Sequence, residues 1–174
     1  MKTIDLLPAE ATPFYQNYIS LLDLKDDLLQ ILSQGIEDIT LVSVLISNLK
    51  KQKFSYAPQK WTVQDIFIHL IDVERVFCYR ALCISRGDQT HFPVFNENDY
   101  VDNAGANNRL FEDLLEEFLT VRRATIMLFK NFTPYQLRAV GTASNNAVSV
   151  RAIGFIVAGH LKHHITIISE KYLF

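Results

Sequence analysis

Apolar residues recur along most of this chain every three or four positions, the spacing of one face of an α-helix. No run alternates with period two for long enough to propose a sheet, and the six glycines and five prolines cluster between the periodic segments. The pattern predicts an all-α chain folded as a single domain over residues 1–174. Four long helices follow from it. The first runs from Gln34 or Asp38 to Asn48, after a shorter helical lead-in from Phe14 to Leu32 that breaks near Gly35. The second starts after Pro58, where Thr62 can N-cap and Asp65 can return the bond in a capping box; it ends near Arg86, with Gly87 as the C-terminal glycine. The third covers about Asn107 to Asn131, with Phe111, Leu114, Leu115, Phe118 and Leu119 on one face and Pro134 just beyond. A polar stretch, Gly141 to Asn146, leads to the fourth, from about Ser149 to Tyr172. The connection Asp88 to Asn103 carries Phe92, Phe95 and Tyr100 among several Asn and Asp residues. Loops of that length are uncommon in a compact domain and often functional. This one lets the helices it joins run parallel, which permits an up-down-down-up order.

The same periodicity places the histidines. With His160 at zero and about 100° per residue, Ile153, Val157, His164 and Ile167 fall within about 60° of it, a single apolar stripe. Arg151, Ala158, Lys162 and Ser169 fall opposite, and His163 lies at the edge of the stripe. On the second helix, Thr62, Ile66, Val73 and Val76 share the face of His69, while Gln64 and Arg75 point away. Three imidazoles thus project from two helices into one core. Histidines at i and i+4 are close enough to chelate one ion, so His69, His160 and His164 are candidate ligands of a divalent metal. The competing reading is three hydrogen-bonded core histidines, since a lone inward histidine is more often that than a ligand. The spacing His160-x-x-x-His164 resembles the zincin pattern, but Leu161 stands where a zincin carries its catalytic Glu, which excludes the usual metalloprotease base.

Charge narrows the partners. The net charge is -2, from 17 basic and 19 acidic residues mixed along the chain. The densest basic spots are Lys50-Lys51 with Lys53, and Arg122-Arg123, which argues against nucleic acid. Asp5 and Glu10 interrupt the N-terminus where a signal peptide needs an apolar run. The most apolar stretches, Leu41 to Ile46 and Ala152 to Ala158, are far shorter than the ~20 residues that span a bilayer. The expectation is a cytoplasmic protein without a membrane partner. Cys78 and Cys83, five apart on one helix, point about 140° from each other and cannot bridge, so they read as reduced thiols.

At these residues the chain resembles the DinB/YfiT-like superfamily of bacterial four-helix-bundle proteins. One matching patch is Tyr56-Ala-Pro-Gln-Lys-Trp-Thr-Val-Gln-Asp-Ile-Phe-Ile-His69-Leu-Ile-Asp-Val-Glu-Arg-Val-Phe, similar to the family's Trp-initiated helix with the first metal histidine. The other is Val148-Ser-Val-Arg-Ala-Ile-Gly-Phe-Ile-Val-Ala-Gly-His160-Leu-Lys-His163-His164, similar to its closing His-x-x-x-His helix. The resemblance covers most of the chain beyond about residue 30. It implies an up-down-down-up four-helix bundle, a Zn, Ni or Mn ion held by His69, His160 and His164, and often a homodimer. His163, three residues from His160, is an alternative to His164 as the third ligand; His164 is nearer the centre of the stripe. Three neutral nitrogen ligands leave an open position, the arrangement of a catalytic site. The family includes transferases that activate a low-molecular-weight thiol, such as bacillithiol or mycothiol, against an electrophile, and others labelled metal-dependent hydrolases. The resemblance therefore implies a thiol S-transferase acting on small electrophiles, with a metal-dependent hydrolase or a non-catalytic metal-binding module as alternatives.

Other positions carry weaker expectations. Asp65 and Asp72 can orient a ligand imidazole or serve as cap and surface charges. Arg80 can meet an anionic substrate or pair with an acid. Trp61, Phe95 and Tyr100 can line a pocket mouth or anchor the bundle. His91 is expected in solvent, and the two cysteines are expected to be bystanders. No residue stands out as catalytic.

Overall fold

The computed structural model describes residues 1–174. After two short 3-10 turns, Pro13 opens the short helix α1 (Pro13–Ile19) at the position where a missing N–H costs nothing. An Asp-rich turn follows, in which Asp26 accepts from the Asp23 N–H (2.9 Å) and Asp23 from the Lys25 N–H (2.8 Å). Asp27 then caps α2 (Leu28–Asn48). The break in the first helical stretch therefore lies before Leu28, and α2 runs unbroken through Gly35. The reason is contact: a Cβ at Gly35 would lie 2.7 Å from both Arg122 Nη1 and Leu161 Cδ2, so glycine makes room for neighbours instead of ending the helix. α2 is also long and apolar enough, by length and composition alone, to cross a membrane, unlike the shorter runs read from the sequence. Here it packs against two other bundle helices.

α3 (Val63–Ser85) starts and stops as its sequence predicts. Thr62 and Asp65 form the capping box, and Gly87 turns the chain out at φ 82°. The long connection is structured: β1 (His91–Phe92) precedes α4 (Glu97–Ala104), which Asn96 caps and Gly105 ends at φ 63°. A 3-10 turn over Ala106–Asn108 delays α5 (Phe111–Lys130), and α6 (Pro134–Arg138) is a single capped turn. The polar stretch that follows is a hairpin, β2 (Val140–Ala143) and β3 (Asn146–Ser149), with Ser144 and Asn145 at φ 51° and 61°. β1 adds parallel to β2, so the chain carries a small three-stranded sheet that the all-helical reading did not contain. Four-residue strands are too short to establish a period-two pattern. Ser149 then caps α7 (Val150–Lys171).

Side-chain contacts fix the helix directions. Phe67–Phe111, Glu74–Arg122 and Cys78–Thr125 pair rising positions on α3 with rising positions on α5, so these two run parallel. Leu28 meets Gly154 and Gly35 meets Leu161, so α2 and α7 also run parallel. His69 near the start of α3 meets His160 and His164 at and just past the middle of α7, and Tyr172 at the end of α7 bonds Trp61 ahead of α3, so these two run antiparallel. The order is up-down-down-up. The hydrophobic core divides into two clusters, changing over between Ile71 and Val73 on α3 and between Ala158 and Leu161 on α7. Near that level sit His160 and the buried Glu74–Arg122 ion pair (2.7 Å). Arg151 and Ala158, expected to face outward, are buried, because α1 and the N-terminal turns cover that side of α7; Arg151 pairs with Glu10.

Candidate metal centre

α3 and α7 bring His69, His160 and His164 together. All three are buried, and their potential ligand atoms lie within 4.8 Å of one another. His160 is central: its Nε2 is 3.0 Å from that of His69 and 3.1 Å from that of His164. His163 is half-buried on the neighbouring face, its ring against Tyr18 (5.7 Å) and His164 (5.1 Å), outside this cluster.

Burial keeps the cluster neutral. Desolvation pushes His69 down to about 4 and His164 to about 3, with the neighbouring histidine charges adding to it, and carries His160 well below its ordinary value. Three neutral imidazoles with converging Nε2 atoms are a donor set suited to a late divalent cation. His164 Nδ1 is buried without a hydrogen-bond partner, so no protein acceptor fixes its tautomer.

The rings are held by packing. Trp61 lies 4.7 Å from the His69 ring, and its carbonyl accepts from the Tyr172 hydroxyl at 2.8 Å. Tyr18, at the end of α1, packs edge-on against His160 at 5.3 Å. Neither aspartate orients an imidazole: Asp65 is taken by the Thr62 cap and by Asn107 Nδ2 (2.9 Å), and Asp72 faces Arg75.

A cavity of about 260 Å³ reaches His164, walled by Trp61, Tyr172, Ile66 and Ile167 and edged by Lys60 and Asn98. Of the expected aromatics, Trp61 alone reaches it. Phe95 and Tyr100 pack on each other (5.1 Å), and Phe95 lies over Arg80. Arg80 meets no acid: its buried guanidinium sits between Phe77 and Phe95 and donates to the Pro93 carbonyl (2.6 Å), tying down the long connection. His91 is exposed. Both cysteines are free; burial pushes the Cys78 thiol up to about 12, which keeps it from acting as a nucleophile. Tyr18, Tyr172, Lys60 and Asn98 were not singled out from the sequence. Only Tyr172, two turns beyond His164 on one helix, carried a periodic signal.

A search of curated proteins finds no match. Among solved structures, the fold is similar to that of YfiT from Bacillus subtilis, described as a probable metal-dependent hydrolase with an unusual four-helix bundle topology. The TM-score is 0.74 at 14% identity, over 82% of each chain. The sequence model of the DinB superfamily matches residues 37–168, which span α3 and α5 in full, most of α2 and α7, and all three clustered histidines. By that match, the chain belongs to the DinB superfamily.

Proposed function

We propose that this chain is a metal-dependent enzyme that transfers a low-molecular-weight thiol of the bacillithiol kind, through its sulfur, to a small electrophile. The observation that carries the reading is the donor set: three buried imidazoles, neutral at pH 7, converging beside a cavity that reaches one of them. A divalent ion on His69, His160 and His164 keeps its full charge and an open position, and when bound it lowers the pKa of a nucleophile brought to it. The chain supplies the surroundings. Trp61, held by Tyr172, and the aliphatic Ile66 and Ile167 take the apolar part of a substrate; Lys60 and Asn98 meet its polar part.

No carboxylate lines the cavity. The chain therefore offers no general base there, which favours a nucleophile that loses its proton readily. A thiol, at about 8.5, does so far more easily than water. The second reading, hydrolysis of a small molecule at the same ion, is supported by the likeness to YfiT.

The test is turnover by protein loaded with Zn, Ni or Mn, using a panel of low-molecular-weight thiols and monochlorobimane. Expected is thiol-dependent adduct formation that His160→Ala abolishes. Cleavage of small esters or amides without thiol would assign the hydrolase instead. Metal retention with neither activity would make the chain a metal-binding module.

A further inference from the structure

α3 and α7 decide where the three imidazoles stand. What they leave open is the rotation of each ring about its side-chain bonds. A metal-bound histidine is ordinarily held against that rotation by a carboxylate, carbonyl or water that accepts from its second ring nitrogen. No carboxylate or carbonyl of this chain does so. The hydrogen-bonding contacts among His69, His160 and His164 all run through Nε2, and no protein atom accepts from any of their Nδ1 atoms. Asp65 and Asp72, the acids nearest in sequence to His69, are engaged by Asn107 and Arg75.

Aromatic rings stand there instead. Tyr18 is edge-on to His160, with centroids 5.3 Å and planes 84° apart, and Trp61 lies against His69 at 4.7 Å with planes 45° apart. Neither sits on a helix that carries the imidazoles: Tyr18 belongs to α1, and Trp61 to the segment before α3. Each is fixed through its own backbone. A Cβ at Gly159 would lie 2.2 Å from the Tyr18 carbonyl oxygen, so the glycine beside His160 is what lets α1 come this close. The Trp61 carbonyl accepts from the Tyr172 hydroxyl at 2.8 Å. His164, by contrast, borders the cavity.

A ring differs from a carboxylate in a way that matters to an ion. Its face attracts an imidazole N–H only weakly and bears no net charge, so it steers the imidazole without raising its basicity. Imidazoles backed in this way donate less to an ion than carboxylate-backed ones, and leave it a stronger acid toward whatever it binds.

We propose that Tyr18 and Trp61 are positioning residues of the metal centre: their rings, in place of hydrogen-bond acceptors, hold His160 and His69 with Nε2 turned to a common point. The inference rests on the metal assignment made above and adds to it two residues that do not themselves bind the ion.

The test is Zn affinity of the full-length protein, measured by competition with a chromogenic chelator, beside the visible spectrum of the Co(II)-loaded form, whose bands follow ligand geometry. Tyr18→Leu and Trp61→Leu should each weaken Zn binding about tenfold or more and shift the Co(II) bands. Tyr18→Phe and Trp61→Phe keep a ring and should bind nearly as the parent does. Gly159→Ala moves Tyr18 while leaving it whole, and should weaken binding as Tyr18→Leu does. Tyr15→Phe removes the 2.9 Å bond from α1 to the Ala143 carbonyl, touches no imidazole, and should lower stability at unchanged affinity. Leucine variants that bind Zn as tightly as the parent overturn the inference and leave the metal assignment standing. Phenylalanine variants that lose as much as the leucine ones overturn it too, since a ring is then not what counts. Tyr15→Phe as weak as Tyr18→Leu makes the loss one of stability and likewise overturns it. A parent without Zn affinity overturns the metal assignment and the inference together.

Discussion

His160 is the residue whose removal separates a metal centre from a hydrogen-bonded histidine core. Its Nε2 is the one within 3.1 Å of both other imidazoles, so His160→Ala removes the middle donor of three. An ion that binds only the folded chain stabilises it by about 2.7 kcal/mol when present at 100 times its Kd. For a domain of this length 1 kcal/mol moves the melting temperature by about 2–4 °C, so the parent should gain about 5–11 °C on loading. His160→Ala leaves a cavity and will melt lower even without metal. The quantity to measure is therefore the metal-dependent increment, which should vanish in the variant whatever its baseline. The chain's single tryptophan, Trp61, lies 4.7 Å from the His69 ring, so its fluorescence should change on loading and give a second, independent readout. Elemental analysis of tag-free protein supplies the stoichiometry. His164→Ala should lose the increment as well, whereas His163→Ala should keep it, because His163 lies outside the cluster. An increment absent from the parent, or equal in parent and His160→Ala, would refute the assignment of these histidines to a metal.

Four further outcomes follow from the same contacts. Without metal, the depressed pKa values of His69 (about 4) and His164 (about 3) mean that the unfolded chain takes up protons near 6.5 before the folded one does. Stability should be complete above pH 6.5 and fall as the pH drops toward 4; a flat profile in denaturant titrations at pH 7, 5.5 and 4.5 would contradict the burial of neutral imidazoles. Arg122→Met strands the Glu74 carboxylate in the core and should cost about 3–5 kcal/mol by urea unfolding, with much of the loss recovered when Glu74→Leu is added. A Cβ at Gly159 would lie 2.2 Å from the Tyr18 carbonyl oxygen, so Gly159→Ala should displace α1, cost about 1–3 kcal/mol, and raise hydrogen exchange in α1. Tyr172→Phe removes the 2.8 Å bond to the Trp61 carbonyl and should cost about 1 kcal/mol, with a shift in Trp61 emission as the sign that the indole has moved.

What could be read from the sequence was whatever one helix decides by itself. The Thr62–Asp65 capping box, the Gly87 stop and the Ser149 cap are local chemistry, and each appears where its residues stand. The inward stripe of α7 is equally local, and it placed His160 and His164 on one face before any partner helix was known. Gly35 looks like a break in the sequence because its role is not local: Arg122 and Leu161 come from two other helices, and nothing in the flanking residues of α2 records them. The aspartates near His69 are ambiguous in the sequence for a related reason. Asp65 can serve the cap or the imidazole, and the cap, three residues away with the Thr62 N–H and hydroxyl both donating to the carboxylate, takes it. The hairpin and α4 are stretches of four to eight residues whose conformation rests on caps, on turn residues and on pairing with one another, too brief for a period to establish itself.

The donor set and much of its surroundings are built from different parts of the chain. The three imidazoles come from two rigid helices, and their mutual positions depend only on how α3 and α7 pack. Ile66 and Ile167 of the same two helices supply part of the walls around them, and the rest comes from four other places: Tyr18 at the end of α1, Trp61 in the segment before α3, Asn98 at the start of α4, and Tyr172 at the end of α7. Segments at helix ends tolerate substitution and insertion far better than the bundle does. Metal retention should then be insensitive to changes in residues 54–60 and 94–100, while the choice of substrate should follow them. Replacing Lys60 and Asn98 with alanine puts this to the test, because neither touches an imidazole, while both line the cavity. The variant should keep the metal-dependent melting increment while its preference among thiols or electrophiles changes. Loss of the ion in that variant would mean that the cavity wall and the donor set form one unit.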